Sequence, residues 1–281
     1  IYELAQTDDG QLFVAMELVY GPTVLDMLRR RPLSAASVLD VGLQTAEALQ
    51  HVHALSLGEG NSGLIHRDVK PSNLLVDTSG LVKLTDLGVA RLTGTNEQAA
   101  YIAGTPGYMS PEQMEGGEDH RTDLFSLGAT LYVLAAGRRP FGSGPPALRR
   151  TVQVERSLAT PAFMAPVDAK VPGLGEVLAR CLRFDPAERY ADAGALGDAL
   201  RALRTEHDGP GIRVAAALGA EPTAETEVAP MVTDVETAER ALPELPEAGD
   251  AFVGRTEELR RELEEQPEFV DDVLLQGARV A

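Results

Sequence analysis

Ile65-His66-Arg67-Asp68-Val69-Lys70-Pro71-Ser72-Asn73, followed after a short hairpin by Thr85-Asp86-Leu87-Gly88, is the stretch whose reading decides this chain. A carboxylate (Asp68) and a carboxamide (Asn73) sit in one polar loop, through which Pro71 opposes a regular helix. Leu74-Leu75-Val76, the polar turn Asp77-Thr78-Ser79-Gly80 and Leu81-Val82-Lys83-Leu84 then read as a hairpin. A hairpin returns the chain to its origin, so Asp86 is expected near Asn73. Three oxygen-bearing side chains and Lys70 would share one small space, and Gly88 permits a change of backbone direction just beyond. Oxygen donors of this kind suit magnesium, and magnesium suits a phosphate substrate.

In order and spacing these residues closely resemble the catalytic loop and metal-binding motif of eukaryotic-type protein kinases. His66, Arg67, Asp68 and Asn73 meet H-R-D-x-x-x-x-N in full. The resemblance implies that Asp68 accepts the proton of the attacking hydroxyl, that Lys70 steadies the transferred phosphoryl group, and that Asn73 and Asp86 hold magnesium. It implies ATP and Mg2+ as cofactors, with Lys70, Asn73, Leu75 and Asp86 among the nucleotide-binding residues. Asp86-Leu87-Gly88 departs from the usual D-F-G, but Leu87 keeps an apolar wedge where Phe is usual. His66, Leu87 and Gly88 are read as structural. The fold implied is α+β: a two-lobe kinase-like fold, mainly the α-helical C-terminal lobe with the last strands of the small lobe.

Composition agrees with one full domain plus an attachment. Apolar residues make up 44% of the 281, ample for a core, while 43 Asp and Glu against 25 Lys and Arg give a formal charge of -18. Such a balance argues against nucleic acid or anionic lipid as a partner drawn by charge. Cys181 is the single cysteine and lies in an apolar run, which reads as a buried inert thiol and excludes an internal disulfide. No signal peptide is evident and no apolar run is long enough to span a bilayer, so a cytoplasmic protein is expected.

Upstream of the loop, Ile1 to Leu4 and Gln11 to Val19 read as strands joined by Thr7-Asp8-Asp9-Gly10. They resemble the last small-lobe strands leading into the hinge. By that resemblance Met16 lines the adenine pocket, and the backbone of Glu17 and Val19 bonds the base. The family's glycine-rich loop, strand lysine and partner glutamate are not found in these 281 residues, whose lysines stand only at 70, 83 and 170. The expectation is therefore an N-terminally truncated catalytic domain that by itself binds ATP weakly and turns over little. Thr23 to Arg31 reads as a helix with Asp26 at the family position near ribose and substrate groove. Ser34 caps a longer helix with Leu39, Leu43, Ala46 and Leu49 on one face. His51 and His53 near its end lack the companions a metal site needs.

Downstream, Thr93, Thr95 and Tyr101 lead to Gly104-Thr105-Pro106-Gly107-Tyr108-Met109-Ser110-Pro111-Glu112, which resembles an activation segment ending in S-P-E for A-P-E. With Lys70, Thr105 implies serine/threonine specificity. Arg67 is the natural partner for a phosphate added to this segment, with Thr93 or Thr95 the expected autophosphorylation site. The family pattern also implies that Asp123 ties its helix to the catalytic loop and that Arg189 pairs with Glu112.

The resemblance runs to about residue 204 and points to bacterial-type serine/threonine kinases acting on protein Ser/Thr, themselves included. The expected division is a catalytic domain over 1–204, a flexible acidic linker over 205–250, rich in Ala, Glu, Pro and Thr, and a C-terminal piece over 251–281. Phe252-Val253-Gly254-Arg255 in that piece is similar to the opening of AAA-like or STAND-type ATPase modules, with an isolated helix as the alternative. A second reading of the whole is a pseudokinase or signalling scaffold. The intact set Asp68, Lys70, Asn73 and Asp86 favours the enzyme.

Overall fold

Side chains that cap their own helices set the starts of the first two. Thr23 accepts from Asp26 N at 3.1 Å while the Asp26 carboxylate accepts from Thr23 N, a capping box that opens α1 (Val24–Arg30). Ser34 accepts from Ser37 N at 3.0 Å and opens α2 (Ala35–Ala54), whose Val38, Leu39, Val41, Ala46 and Leu49 are fully buried. In this computed structural model the described residues are 3–6, 12–55, 63–86, 104–115, 117–158 and 160–212. All lie in the first of two units, Ile1–Glu221, the second being Pro222–Ala281.

Two small antiparallel sheets flank the first helices in sequence. Strands β1 (Glu3–Gln6) and β2 (Leu12–Ala15) pair with Glu3 opposite Ala15. The second strand was expected to continue to Val19. It stops at Ala15 because residues 16–20 find no strand partner among the described residues. Strands β3 (Leu74–Val76) and β4 (Val82–Leu84) form the hairpin expected after the polar loop. Its turn is held by Asp77, whose carboxylate accepts from Ser79 N at 2.8 Å and Leu81 N at 2.9 Å. The Ser79 hydroxyl bond, with these amides and Lys83, outweighs desolvation and holds the Asp77 carboxyl below its ordinary value.

The remainder is helical: α3 (Pro111–Glu115), α4 (Arg121–Ala136), α5 (Pro145–Val152), α6 (Val154–Leu158), α7 (Pro161–Lys170), α8 (Leu174–Cys181) and α9 (Ala193–Glu206). This mainly helical body with a few strands is the α+β arrangement the sequence implied. Helix α4 is its axis. Every residue from Thr122 to Leu134 is buried, and Gly137 in the left-handed region (φ 70°) ends the helix. Leu124, Leu127, Leu131 and Leu134 join the core shared with α2, α8 and α9, whereas Phe125, Ala129 and Val133 face a second cluster with Phe141 and Leu182.

A helix buried all round needs small residues where neighbours come closest. At Gly128 a Cβ would stand 2.6 Å from Cys181 Cβ. Gly128→Ala is expected to destabilise the domain by roughly 1–3 kcal/mol through overpacking, read as a lower midpoint in thermal unfolding. Cys181 itself is fully buried, which pushes its thiol up to about 12 and keeps it unreactive.

The packed region extends past the expected linker boundary at Thr205. Helix α9 continues to Glu206, and Asp40 on α2 then gathers the following turn. Its carboxylate accepts from Arg204 Nε at 2.7 Å and from Ile212 N at 3.0 Å, and Ile212 is buried. Residues up to Ile212 therefore pack against α2. The apolar contact of Ile212 and the two charge-assisted bonds to Asp40 offset the cost of ordering them.

Candidate active site

The loop that carries Asp68 is shaped by its neighbours rather than by regular structure. Arg67 adopts φ 69°, a left-handed conformation costly for a residue with a Cβ. Two contacts over-determine it. The Asp123 carboxylate, wholly buried near the start of α4, accepts from His66 N at 2.8 Å and Arg67 N at 2.7 Å, while Arg67 O accepts from Gln113 Nε2 at 2.8 Å. His66 is also buried. Its Nε2 donates to Thr85 O at 2.8 Å and its Nδ1 accepts from Asp68 N at 3.3 Å, so one tautomer joins the loop to the end of β4.

On this frame the Asp68 carboxylate gathers three partners. Lys70 Nζ lies 2.6 Å from Oδ2, the Thr105 hydroxyl donates to Oδ1 at 2.8 Å, and Asn73 Nδ2 donates to Oδ2 at 3.1 Å and to Asp68 O at 2.9 Å. Lys70 Nζ also donates to Thr105 Oγ1 at 2.7 Å. The loop turns through a short 3-10 segment, Pro71–Asn73, where Pro71 supplies the preset φ. Thr85 N donates to Asn73 O at 3.0 Å, which sets Asp86 beside Asn73, and Asp86 takes φ 59°, a region Asp tolerates better than most residues. With its amide nitrogen committed to Asp68, Asn73 keeps its oxygen for other partners, of which Ser72 Oγ at 3.2 Å is one. A carboxamide oxygen and an exposed carboxylate are hard donors suited to magnesium, which uses one or two protein ligands together with phosphate oxygens.

Around this centre the remaining predicted positions divide. Met16 is 44% exposed and accepts a long contact from Thr85 Oγ1 at 4.0 Å; Glu17 pairs with Lys83. Leu75 bridges to Thr23, and Val76 N donates to Pro22 O at 2.9 Å, so the segment after Val19 lies along β3. At Gly21 a Cβ would stand 1.8 Å from Val76 O, a close approach only glycine permits. Asp26 caps its own helix. Its carboxylate is held by Thr23 N and Oγ1 in the capping box and faces Arg29 at 3.6 Å, because the nearest donors are those of its own helix. Leu87, Gly88, Thr93 and Thr95 lie outside the described residues.

Glu112 and Arg189 form a buried bidentate pair at 2.6 and 2.8 Å. Burial alone would push the Glu112 carboxyl up. The Arg189 hydrogen bonds and charge together outweigh it, and the carboxyl lies below its ordinary value.

Several supporting residues were missed in the sequence because nothing in local spacing marks them. Each small polar residue of α4 reaches a different segment: Thr122 Oγ1 donates to Glu112 on α3 at 2.9 Å, Ser126 Oγ to Tyr108 O at 2.9 Å, and Thr130 Oγ1 to Val69 O at 3.0 Å. His53, set aside as a metal ligand, donates from Nε2 to Asp123 Oδ2 at 2.8 Å and supplies the third donor to that carboxylate. Glu118 meets Arg67 Nε at 2.5 Å. Among the described residues no three His, Cys, Asp or Glu cluster as a metal site, and no helix is long and apolar enough to cross a membrane.

Residues 1–200 match the family model described as the protein kinase domain. Over 219 residues the chain is 34% identical to the serine/threonine-protein kinase pkn3 of Myxococcus xanthus, covering 73% of this chain and 39% of that protein. Over 216 residues it is 36% identical to the serine/threonine-protein kinase PknL of Mycobacterium tuberculosis, covering 75% and 52%. The chain thus spans about half, or less, of the length of these curated relatives. Among solved structures it is similar to the Mycobacterium tuberculosis PknI kinase domain, with TM-score 0.53 and 28% identity over 72% of this chain and 70% of the other.

Proposed function

This chain belongs to the protein kinase domain family, and from that premise we propose that it transfers the γ-phosphate of ATP to serine or threonine hydroxyls of proteins, its own among them. The observation that carries the reading is the Asp68 carboxylate. It is met by Lys70, Asn73 and Thr105 within 2.6 to 3.1 Å, on a loop whose strained backbone is pinned by Asp123.

In this reading Asp68 holds the incoming hydroxyl and takes its proton as the oxygen attacks phosphorus. Lys70, within reach of both Asp68 and Thr105, bears on the charge of the transferred phosphoryl group. Asn73 and Asp86 would hold magnesium, which supplies charge neutralisation on the phosphates. The Thr105 hydroxyl, bonded to both Asp68 and Lys70, marks where a substrate hydroxyl is received and favours serine and threonine over the longer tyrosine. Phosphate transfer by residues 1–281 alone is slow. Lys70 and Lys83 are paired with Asp68 and Glu17, and Lys170 lies on α7 in the helical body, which leaves the usual strand-lysine contact to the phosphates unfilled within this sequence. The setting is cytoplasmic, where ATP and magnesium are supplied.

The test is transfer from γ-labelled ATP to a generic basic protein by the full-length protein that contains this chain, with magnesium and with a chelator. Label on serine and threonine alone, lost with the chelator, is the expected result. A well-folded protein that transfers nothing in magnesium overturns the enzyme in favour of a scaffold.

A further inference from the structure

Arg67, the expected partner of a phosphate on the segment after Gly88, pairs with a carboxylate among the described residues. Glu118 Oε2 accepts from Arg67 Nε at 2.5 Å, with both side chains largely buried, at 18% and 14% exposure. Each end of the pair is anchored independently. On one side Arg67 is held at N by Asp123, at O by Gln113, and through Nη1 to Ile65 O at 3.3 Å. On the other, Glu118 precedes Asp119, whose carboxylate clamps Arg121 at 2.9 and 2.5 Å and whose carbonyl accepts from Thr122 N at 3.0 Å. The segment bearing Glu118 is thereby tied to the first turn of α4, the same turn that carries Asp123. The pair closes a short circuit: catalytic loop, Asp123, α4, Asp119, Glu118 and back to Arg67.

We propose that Glu118 is a positioning residue that neutralises Arg67 and holds the catalytic loop, filling with a carboxylate of the chain itself the role of a phosphate on residues 87–103. Phosphate transfer then does not wait on modification of Thr93 or Thr95. The physical reason is charge balance. A phosphate carries about -1.5 to -2 at neutral pH, and brought to an arginine already paired with a carboxylate it meets like charge. Its gain at Arg67 is reduced by the presence of Glu118. The inference rests on the kinase reading and concerns its regulation.

The experiment measures phosphate transfer by the full-length protein, first phosphorylated by incubation with magnesium and ATP and then treated with phosphatase, for wild type, Glu118→Gln and Glu118→Asp, with Asp68→Asn as the blank. Phosphatase-treated wild type is expected to keep its rate within twofold. Treated Glu118→Gln, which has hydrogen-bonding atoms but no charge, is expected to fall at least tenfold below treated wild type, in kcat rather than in KM for ATP. Treated Glu118→Asp, with the charge retained, recovers most of the rate, a recovery that a purely structural role would not tie to charge. A tenfold loss in treated wild type overturns the proposal without any variant, and so does a treated Glu118→Gln that falls less than tenfold. Wild type indistinguishable from the blank overturns the kinase reading and this inference with it, before Glu118 is changed at all.

Discussion

Asp68→Asn is expected to reduce phosphate transfer by the full-length protein about 10²- to 10⁴-fold while leaving its fold intact, since that is the range a positioned general base contributes. The substitution keeps the size of the side chain and an oxygen able to accept from Thr105. It removes the carboxylate to which the proposed mechanism gives the proton. The structural loss is small because the carboxylate and Lys70 remain partly open to solvent, at 25% and 22% exposure, and a solvent-screened pair contributes up to about 1 kcal/mol. The bond from Asn73 Nδ2 to Asp68 O at 2.9 Å does not involve the side chain and survives. The checks are rate, thermal midpoint and nucleotide affinity on one preparation. A low rate with the midpoint and ATP affinity near those of wild type identifies Asp68 with the chemistry, whereas a parallel fall of all three assigns it to the fold.

Arg189→Ala is expected to have the largest effect on stability, roughly 3 to 5 kcal/mol, because it leaves a buried carboxylate without its partner. The guanidinium uses all five of its N–H donors. Two go to Glu112, and the others to Arg183 O at 2.8 Å, Phe184 O at 3.1 Å and Arg121 O at 3.1 Å, while the ring of Phe125 lies 5.0 Å beneath. Alanine abandons all of these at once, so three carbonyls and a carboxylate lose their donors in a site water barely reaches. For a domain of this size the loss corresponds to a fall of roughly 6 to 20 °C in the thermal midpoint. Lysine does not replace the fork, since it has three donors at one nitrogen. Adding Glu112→Gln to Arg189→Met should bring the midpoint back toward wild type relative to Arg189→Met alone, because the stranded charge is gone. If Arg189→Ala melts within a few degrees of wild type, the pair is not the fastening described here.

The two predictions draw on different kinds of information. Asp68 and its companions lie within a few residues of one another or across one hairpin, and the spacing from His66 to Asn73 and on to Asp86 is legible in the sequence. The same is true of Ser34 as a cap, of Thr23 as the start of α1, and of the Asp77 turn, because each is settled by contacts between residues two to four apart. Resemblance added Asp123 and the Glu112–Arg189 pair, which spacing alone could not join.

Family position does not reveal that the Asp26 carboxylate also bonds Thr23, three residues before it. Composition placed the linker at Thr205, since it weighs charge and proline and does not register that Asp40 on a distant helix will gather residues up to Ile212.

The sequence by itself determined which polar groups share the candidate site and their local spacing, because covalent connection holds Asp68, Lys70 and Asn73 in one loop and a tight turn brings Asp86 back to it. Beyond Asp123, which the family pattern implied, tertiary structure alone decided what holds that loop still. His53 meets Asp123 across 70 residues, Arg67 meets Glu118 across 51, and Thr130 meets the Val69 carbonyl across 61. No periodicity encodes such pairings. Two of them exist because α4, which carries Asp123 and Thr130, is buried on every side, and a buried polar group must find a partner wherever packing brings one.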